Sequence, residues 1–181
     1  MRINQALYSH GLTQAIIGST EARHREYITN DPTARYLKII DSELDDQIIA
    51  FAEWHIFSTA SKEAARLDLA PRTWPSDVNL PLATEYWGHI VNARKGMTGK
   101  PHVFLSVIAT APGQGRRGAA SLLMEWGVGE ADRRGLPCFL ESSPMGRGLY
   151  LKHGFEEVES FEVDLGEREM YTHFVMVRPA K

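Results

Sequence analysis

A mixed α/β domain is what this chain predicts, and three features predict it. Two short runs rich in β-branched and aromatic residues, 35–41 and 47–57, flank an acidic turn at 42–46 and read as an antiparallel hairpin. A strongly apolar strand at 102–111 runs into the turn Pro112-Gly113-Gln114-Gly115-Arg116-Arg117-Gly118, and a helix follows at once. The remaining chain continues as strand, helix, strand, strand. The second half therefore reads β-α-β-α-β-β.

The first thirty residues read as helical. Leu7, Leu12, Ile16 and Ile17 recur at three-to-five spacing, Gly11 and Gly18 interrupt them, and a charged piece at 19–28 starts behind Ser19 as N-cap. Asp31-Pro32 ends that pattern. Residues 59–101 are the least regular part, punctuated by Pro71, Pro75 and Pro81, with a helix expected at 82–97. Such an insertion either shapes a binding site or is a surface excursion with a small core of its own. Its aromatic residues Trp74, Tyr86 and Trp87 are expected to pack. In the helix after the glycine turn, Ala119, Leu122, Leu123 and Trp126 follow an i, i+3, i+4, i+7 pattern, and Arg133-Arg134-Gly135 supplies its stop. Residues 137–141 form a short strand. Ser142-Ser143-Pro144 opens a further helix that His153-Gly154 closes, and 155–165 pairs with 169–177.

Composition narrows the functional classes. At 181 residues the chain fits one domain, and its 43% hydrophobic and 24% charged content is that of a water-soluble protein. A formal net charge of −3 argues against a dedicated nucleic-acid binder, which carries a basic excess. No apolar run approaches the ~20 residues that span a bilayer, and no secretory leader is visible, so a soluble cytoplasmic protein is expected. The single cysteine, Cys138, excludes an internal disulfide and reads as core filling; no His-x-x-x-His pair suggests a metal.

The strand–glycine turn–helix unit is an anion site in outline. Free N–H groups at a helix N-terminus favour negative charge, glycine lets the backbone approach a ligand, and Arg116 and Arg117 add cationic donors for a phosphate or pyrophosphate. Two families use this physics. Gly113-x-Gly115-x-x-Gly118 spells a dinucleotide fingerprint, with Glu141 ending the next strand where a ribose-binding acid would sit. That reading makes the chain an NAD(P)-dependent oxidoreductase, although too little chain follows Gly118 for a doubly wound sheet.

The second match is more extensive. Gly115-Arg116-Arg117-Gly118-Ala119-Ala120 resembles motif A of the GNAT superfamily of acyl-CoA-dependent N-acyltransferases: Gln or Arg, two residues, Gly, one residue, then Gly or Ala. Gly118 and Ala120 match, Gly115 departs, and Pro112 ends the preceding strand as in the family. Leu140-Glu141-Ser142-Ser143-Pro144 and Leu149-Tyr150-Leu151-Lys152-His153-Gly154-Phe155 are similar to motif B. The resemblance runs from about Phe104 to Val158, is only topological over the hairpin, and is silent across 59–101. It implies a central, mostly antiparallel sheet with a splayed parallel pair, flanked by helices. The first N-terminal strand of the family has no counterpart here, so that edge is either missing or supplied by another chain, as in a homodimer.

What the resemblance implies chemically is acetyl transfer from acetyl-CoA to a primary amine of a small molecule or peptide, by direct attack. The pyrophosphate would rest on the amides of Gly115 to Ala120, the pantetheine arm would pair with backbone at Ile108, Ala109 and Thr110, and an N–H near Ala109 would face the oxyanion. Tyr150 would protonate the departing thiolate, and Ser143 would contact the cofactor or cap a helix. The base is left open among Glu53, His55 and Glu141. Glu53 and His55 share one face of their strand, with Trp54 on the other. An acyl-CoA-binding module without catalysis is the third reading. Residues 59–101 are then expected to help shape the acceptor site.

Overall fold

The computed structural model describes residues 3–8, 11–59, 73–166 and 169–181. Residues 60–72, which include Pro71, lie outside the described residues. The described elements are α1 (Ile3–Leu7), α2 (Gln14–Asn30), β1 (Ala34–Asp41), β2 (Gln47–Phe57), α3 (Leu80–Lys95), β3 (His102–Thr110), α4 (Ala119–Arg134), β4 (Cys138–Ser142), α5 (Arg147–Lys152), β5 (Glu156–Asp164) and β6 (Met170–Arg178).

All six strands form one sheet in the order β1-β2-β3-β4-β6-β5. Every neighbouring pair is antiparallel except β3–β4. A Rossmann domain requires a parallel, doubly wound sheet, so the dinucleotide reading of the glycine spacing is corrected by topology. Among the described residues no strand precedes β1, which leaves it as a sheet edge.

Period-two alternation sorts the two faces of the sheet. Ala52, Trp54 and Ile56 point to a core shared with Val103, Leu105, Leu140 and Met176 under Leu123 and Met124 of α4. Phe57, Phe104, Phe139 and Val175 point the other way, against Ala93 of α3. A second cluster on that side joins α1, α3 and the β5–β6 hairpin through Leu7, Leu82, Val163 and Tyr171.

Four local expectations are corrected. Helix α2 is continuous and capped by Thr13, whose hydroxyl accepts from the Ile16 N–H at 3.3 Å; Gly18 and Ser19 lie inside it. A lone glycine costs a helix only ~1 kcal/mol, which the rest of the helix tolerates. Helix α3 begins two residues early because Asn79 caps it and Pro81 sits in the first turn, where its missing N–H does no harm. Residues 143–146 form a turn before α5 rather than its first turn: Ser143 accepts from the N–H groups of Gly146 and Arg147. On α4 the buried stripe is Ala119, Leu123, Met124, Gly127 and Ala131, whereas Leu122 is exposed.

Gly127 explains that rotated stripe. A Cβ placed there would lie 2.2 Å from Trp54 Cε2, so the indole, fully buried, occupies the space a side chain would need. Gly127→Ala is therefore expected to destabilise by about 1–3 kcal/mol or more through overpacking. At Gly129, two residues on, a Cβ would meet only Arg133 Nη1 at 3.5 Å. There the same substitution is expected to stabilise by about 0.5–1 kcal/mol. Paired urea denaturation of the two variants checks the opposite signs.

Candidate active site

The sheet opens where its single parallel pair stops. Strands β3 and β4 pair only from Val103 to Leu105 against Cys138 to Leu140, yet β3 continues to Thr110. Beyond Leu105 the two strands diverge. The pairing of β2 with β3 skips one residue at the same level, Glu53 opposing Val107 while Trp54 opposes Leu105. Ser106 is thus a bulge that re-aims the strand at the opening.

A cleft of about 410 Å³ occupies this gap. Its walls include Leu105 to Ile108, Glu53, Glu141, Ser143, Tyr150 and His173, with Trp74, Tyr86 and Trp87 from the 73–95 stretch. The three aromatic residues expected simply to pack therefore also line the cleft. Of the strand residues named from the sequence, Ile108 borders the cleft, while Ala109 and Thr110 lie further along β3 toward the glycine turn.

At that turn, Gly113 and Gly118 adopt φ of +80° and +85°, conformations open to glycine at little cost. Gly118 is the N-cap of α4 and supplies no side-chain cap, so the first N–H groups of the helix, from Ala119 and Ala120 onward, keep their donor capacity. A Cβ at Gly115 would meet nothing within 4 Å. The arginines differ from expectation. Arg117 is engaged, its Nη1 lying 2.6 Å from Asp41 Oδ2 and 2.5 Å from Gln114 Oε1. That guanidinium holds the Asp41 carboxyl below its usual range. Arg116 is exposed, at a φ of 64°, and makes no ion pair among the described residues.

Tyr150 reaches the cleft from α5. Only 6% of it is exposed, and burial pushes its phenol up to about 12. Among the described residues its hydroxyl has no hydrogen-bond partner. Gly146 makes room for the ring: a Cβ there would approach Tyr150 Cε2 to 2.8 Å. Ser143 holds the preceding turn, its Oγ accepting from the Gly146 N–H at 3.2 Å. Cys138 is fully buried in the α4-side core, and burial lifts its thiol to about 12, far from a thiolate nucleophile.

Glu141 is not a free acid. Its two oxygens accept from Arg94 Nε at 2.7 Å and Nη2 at 2.9 Å, in a bidentate pair that is almost fully buried. Arg94 also lies over the rings of Trp87 and Phe104. Burial, helped by the Arg94 charge, pushes the neighbouring His173 down to about 4 and keeps it neutral. Neither Arg94, near the end of α3, nor His173, in β6, was marked by any sequence motif.

Glu53 and His55 do share a face, and both are buried there, 1% and 2% exposed. His55 Nε2 lies 2.9 Å from Glu53 Oε1, and Nδ1 lies 3.0 Å from Thr33 Oγ1 and 3.5 Å from Asp31 Oδ2. On its other side, Glu53 Oε2 is 3.0 Å from His24 Nδ1, which is 2.8 Å from the Tyr36 hydroxyl. Burial works to raise the Glu53 carboxyl, but hydrogen bonds from His55 and Tyr36 overcome it and hold it below 4.5. Burial likewise works to lower His55, and Asp31 and Glu53 overcome it, raising the imidazole above 6.5.

These directions have opposite signs in stability. A raised imidazole stabilises fully below its unfolded value of 6.5 and loses that contribution as pH rises through its higher folded value. The stability difference between the native chain and His55→Gln is therefore expected to be largest near pH 6 and to shrink under alkaline conditions. His173 and His102, both lowered chiefly by burial, act in the opposite sense; His173 and the burial share of His102 cancel in the difference, while the part of the His102 shift that comes from the His55 charge is lost in the variant. Denaturant titrations across pH check this; a difference that grows with pH contradicts a charged His55.

No family model matches the chain, and no curated protein resembles it in sequence. Solved structures do resemble it. A histone acetyltransferase HPA2 and related acetyltransferase of Corynebacterium glutamicum superposes with a TM-score of 0.58 at 18% identity, over 98% of this chain and 84% of that one. The ribosomal-protein-S18-alanine N-acetyltransferase of Escherichia coli gives 0.54 at 16%, over 99% and 84%. The chain has the GNAT fold. A GNAT superfamily phosphinothricin acetyltransferase of Sinorhizobium meliloti, solved in complex with AcCoA, gives 0.55 at 14%, over 89% of this chain and 69% of that one. Within the GNAT fold, the splayed β3–β4 pair is the parallel pair that the sequence resemblance implied. No described helix is long and apolar enough to cross a membrane.

Proposed function

We propose that the chain is an N-acetyltransferase, acting as one domain, that moves the acetyl group of acetyl-CoA to the primary amine of a small-molecule or peptide acceptor by direct attack in a ternary complex. The observation that carries this reading is the coincidence of the β3–β4 splay with an uncapped helix N-terminus at one end and a cleft holding Tyr150 and Glu53 at the other.

When bound, acetyl-CoA supplies the activated thioester. The residues fit it: the open amides from Gly115 to Ala120 suit a pyrophosphate, exposed Arg116 adds charge, and the edge of β3 from Ile108 to Thr110 has no strand partner toward β4. Arg117 serves this site through Asp41 by holding the loop, and Ser143 by fixing the turn that carries α5. A strand N–H near Ala109 stabilises the developing oxyanion. As the acceptor nitrogen bonds to carbon and the carbon–sulfur bond breaks, the nitrogen proton passes to Glu53 and the Tyr150 phenol protonates the departing thiolate. The amine becomes far more acidic once it has attacked, so even a carboxylate whose proton affinity is held low by hydrogen bonds suffices as acceptor. Burial that lifts the phenol also lifts a thiol brought into the same cleft, which keeps donor and acceptor matched. His55 lies behind Glu53 and does not line the cleft, and Glu141 is held at both oxygens by Arg94, so neither is the base in this reading.

The 73–95 aromatics help shape the acceptor pocket, and the buried thiol suits a cytoplasmic setting. A homodimer that completes the open β1 edge belongs to the same reading; native mass spectrometry showing a strict monomer would remove it. Thermal-shift titration tests the function. Acetyl-CoA at 100 times its Kd is expected to stabilise by about 2.7 kcal/mol, and NAD(H) is expected to have no effect. Release of CoA with an amine panel separates an enzyme from a binding module. Stabilisation by NAD(H) alone would overturn the proposal.

A further inference from the structure

We propose that Asp31, acting through a doubly protonated His55, holds Glu53 as an oriented carboxylate on the cleft wall. The inference rests on the reading of Glu53 as proton acceptor, and it assigns Asp31 and His55 as positioning residues.

Hydrogen-bond bookkeeping carries it. Asp31 Oδ1 accepts from the Thr33 N–H at 2.8 Å and from the Thr33 hydroxyl at 2.7 Å. The one hydroxyl hydrogen of Thr33 is thereby spent on Asp31. The contact of 3.0 Å between Thr33 Oγ1 and His55 Nδ1 must then be donated by the imidazole. At the other nitrogen, Nε2 faces Glu53 Oε1 at 2.9 Å; Glu53 is also met on Oε2 by His24, its hydrogen bonds keep it ionised, and an ionised carboxylate oxygen only accepts. Both nitrogens therefore carry hydrogen, and His55 is an imidazolium flanked by two carboxylates.

The surroundings enclose that cation. Phe57 stacks on it at 5.9 Å, Tyr27 stands edge-on at 5.7 Å, and Phe104 lies at 6.2 Å. The charged and titratable groups facing the cluster are Arg23, His24 and Tyr27 of α2, Asp31 at its end, Tyr36 of β1 and His102 of β3. With both imidazole nitrogens occupied, no proton is taken from substrate by His55. Its action is on Glu53, whose Oε1 it pins while Oε2 stays with His24.

The charge order predicts a specific response. In Asp31→Asn the amide still accepts from the Thr33 N–H, but the charge that sustains a buried imidazolium is gone. His55 becomes neutral, and Glu53 loses its cationic partner. The proton affinity of Glu53 is expected to rise at least about tenfold, as it does when an opposite charge within hydrogen-bond reach is removed. His55→Gln should produce the same rise, and Asp31→Glu should partly reverse it.

Carbon-13 carboxyl and nitrogen-15 imidazole NMR titrations of the native chain and these variants, with Glu53→Gln to assign the signal, provide the test. Two protonated nitrogens on His55 at pH 7 and an upward-shifted Glu53 midpoint in Asp31→Asn support the proposal. A neutral His55 in the native chain, or an unmoved Glu53 midpoint, overturns it. The acid limb of kcat/KM, corrected for ionisation of the amine, should follow the Glu53 midpoint. A midpoint that moves without the limb upholds the positioning of Glu53 and overturns Glu53 as the base.

Discussion

Tyr150→Phe is expected to lower kcat by about 10²- to 10⁴-fold, the range for loss of a positioned general acid, while leaving the affinity for acetyl-CoA unchanged. The substitution removes one oxygen that has no partner among the described residues, so neither packing nor a structural hydrogen bond is lost. The ring stays fixed by its edge-on contact with Phe155 at 6.1 Å and by Gly146 beneath it. With the fold intact, the whole effect falls on protonation of the leaving thiolate. Steady-state kinetics with a thiol reagent, alongside calorimetric titration of acetyl-CoA, measure both quantities. Equal turnover in the two proteins removes Tyr150 from the chemistry. A substrate whose leaving thiol is more acidic should narrow the gap, since it needs less help to depart.

Glu141→Ala is the second large effect, and it falls on stability. Removing one member of a buried, hydrogen-bonded ion pair leaves the other charge uncompensated, at a cost of about 3–5 kcal/mol. The faces of Trp87 and Phe104 beside Arg94 attract a cation but accept no hydrogen bond from its fork as a carboxylate does. For a domain of this size the fall in Tm is about 6–20 °C, from 2–4 °C per kcal/mol. The double variant Arg94→Leu/Glu141→Leu should recover much of the loss, because the desolvation of both charges disappears with them. Thermal and urea unfolding of the single and double variants give the comparison. A single variant within about 0.5 kcal/mol of the native chain would mean that water reaches the pair and screens it.

Several parts of the site were legible one residue at a time. The face shared by Glu53 and His55 follows from the two-residue period of a strand, and Trp54 lies opposite for the same reason. The glycine turn was legible because positive φ at Gly113 and Gly118 is a local demand on the backbone. Tyr150 came from a string of residues rather than from periodicity. What the sequence did not reveal were partnerships between elements. Asp31 and Thr33 stand more than twenty residues before His55, and Arg94 stands 47 before Glu141. Nothing in local pattern says which carboxylate each cation will meet.

Arg116 and Arg117 show the boundary most directly. As neighbours in a cationic loop they were equivalent, two donors for one anion. The fold brings Asp41, from the end of β1, to Arg117 and leaves Arg116 exposed. The order of elements, the turn at the glycines and the facing of β2 are set by backbone sterics and side-chain periodicity, which act within a few residues. Sheet order, the point where β3 leaves β4, and the pairing of buried charges are set by contacts across the whole chain. Those contacts exist only after the core has closed, and so only the tertiary structure decided them.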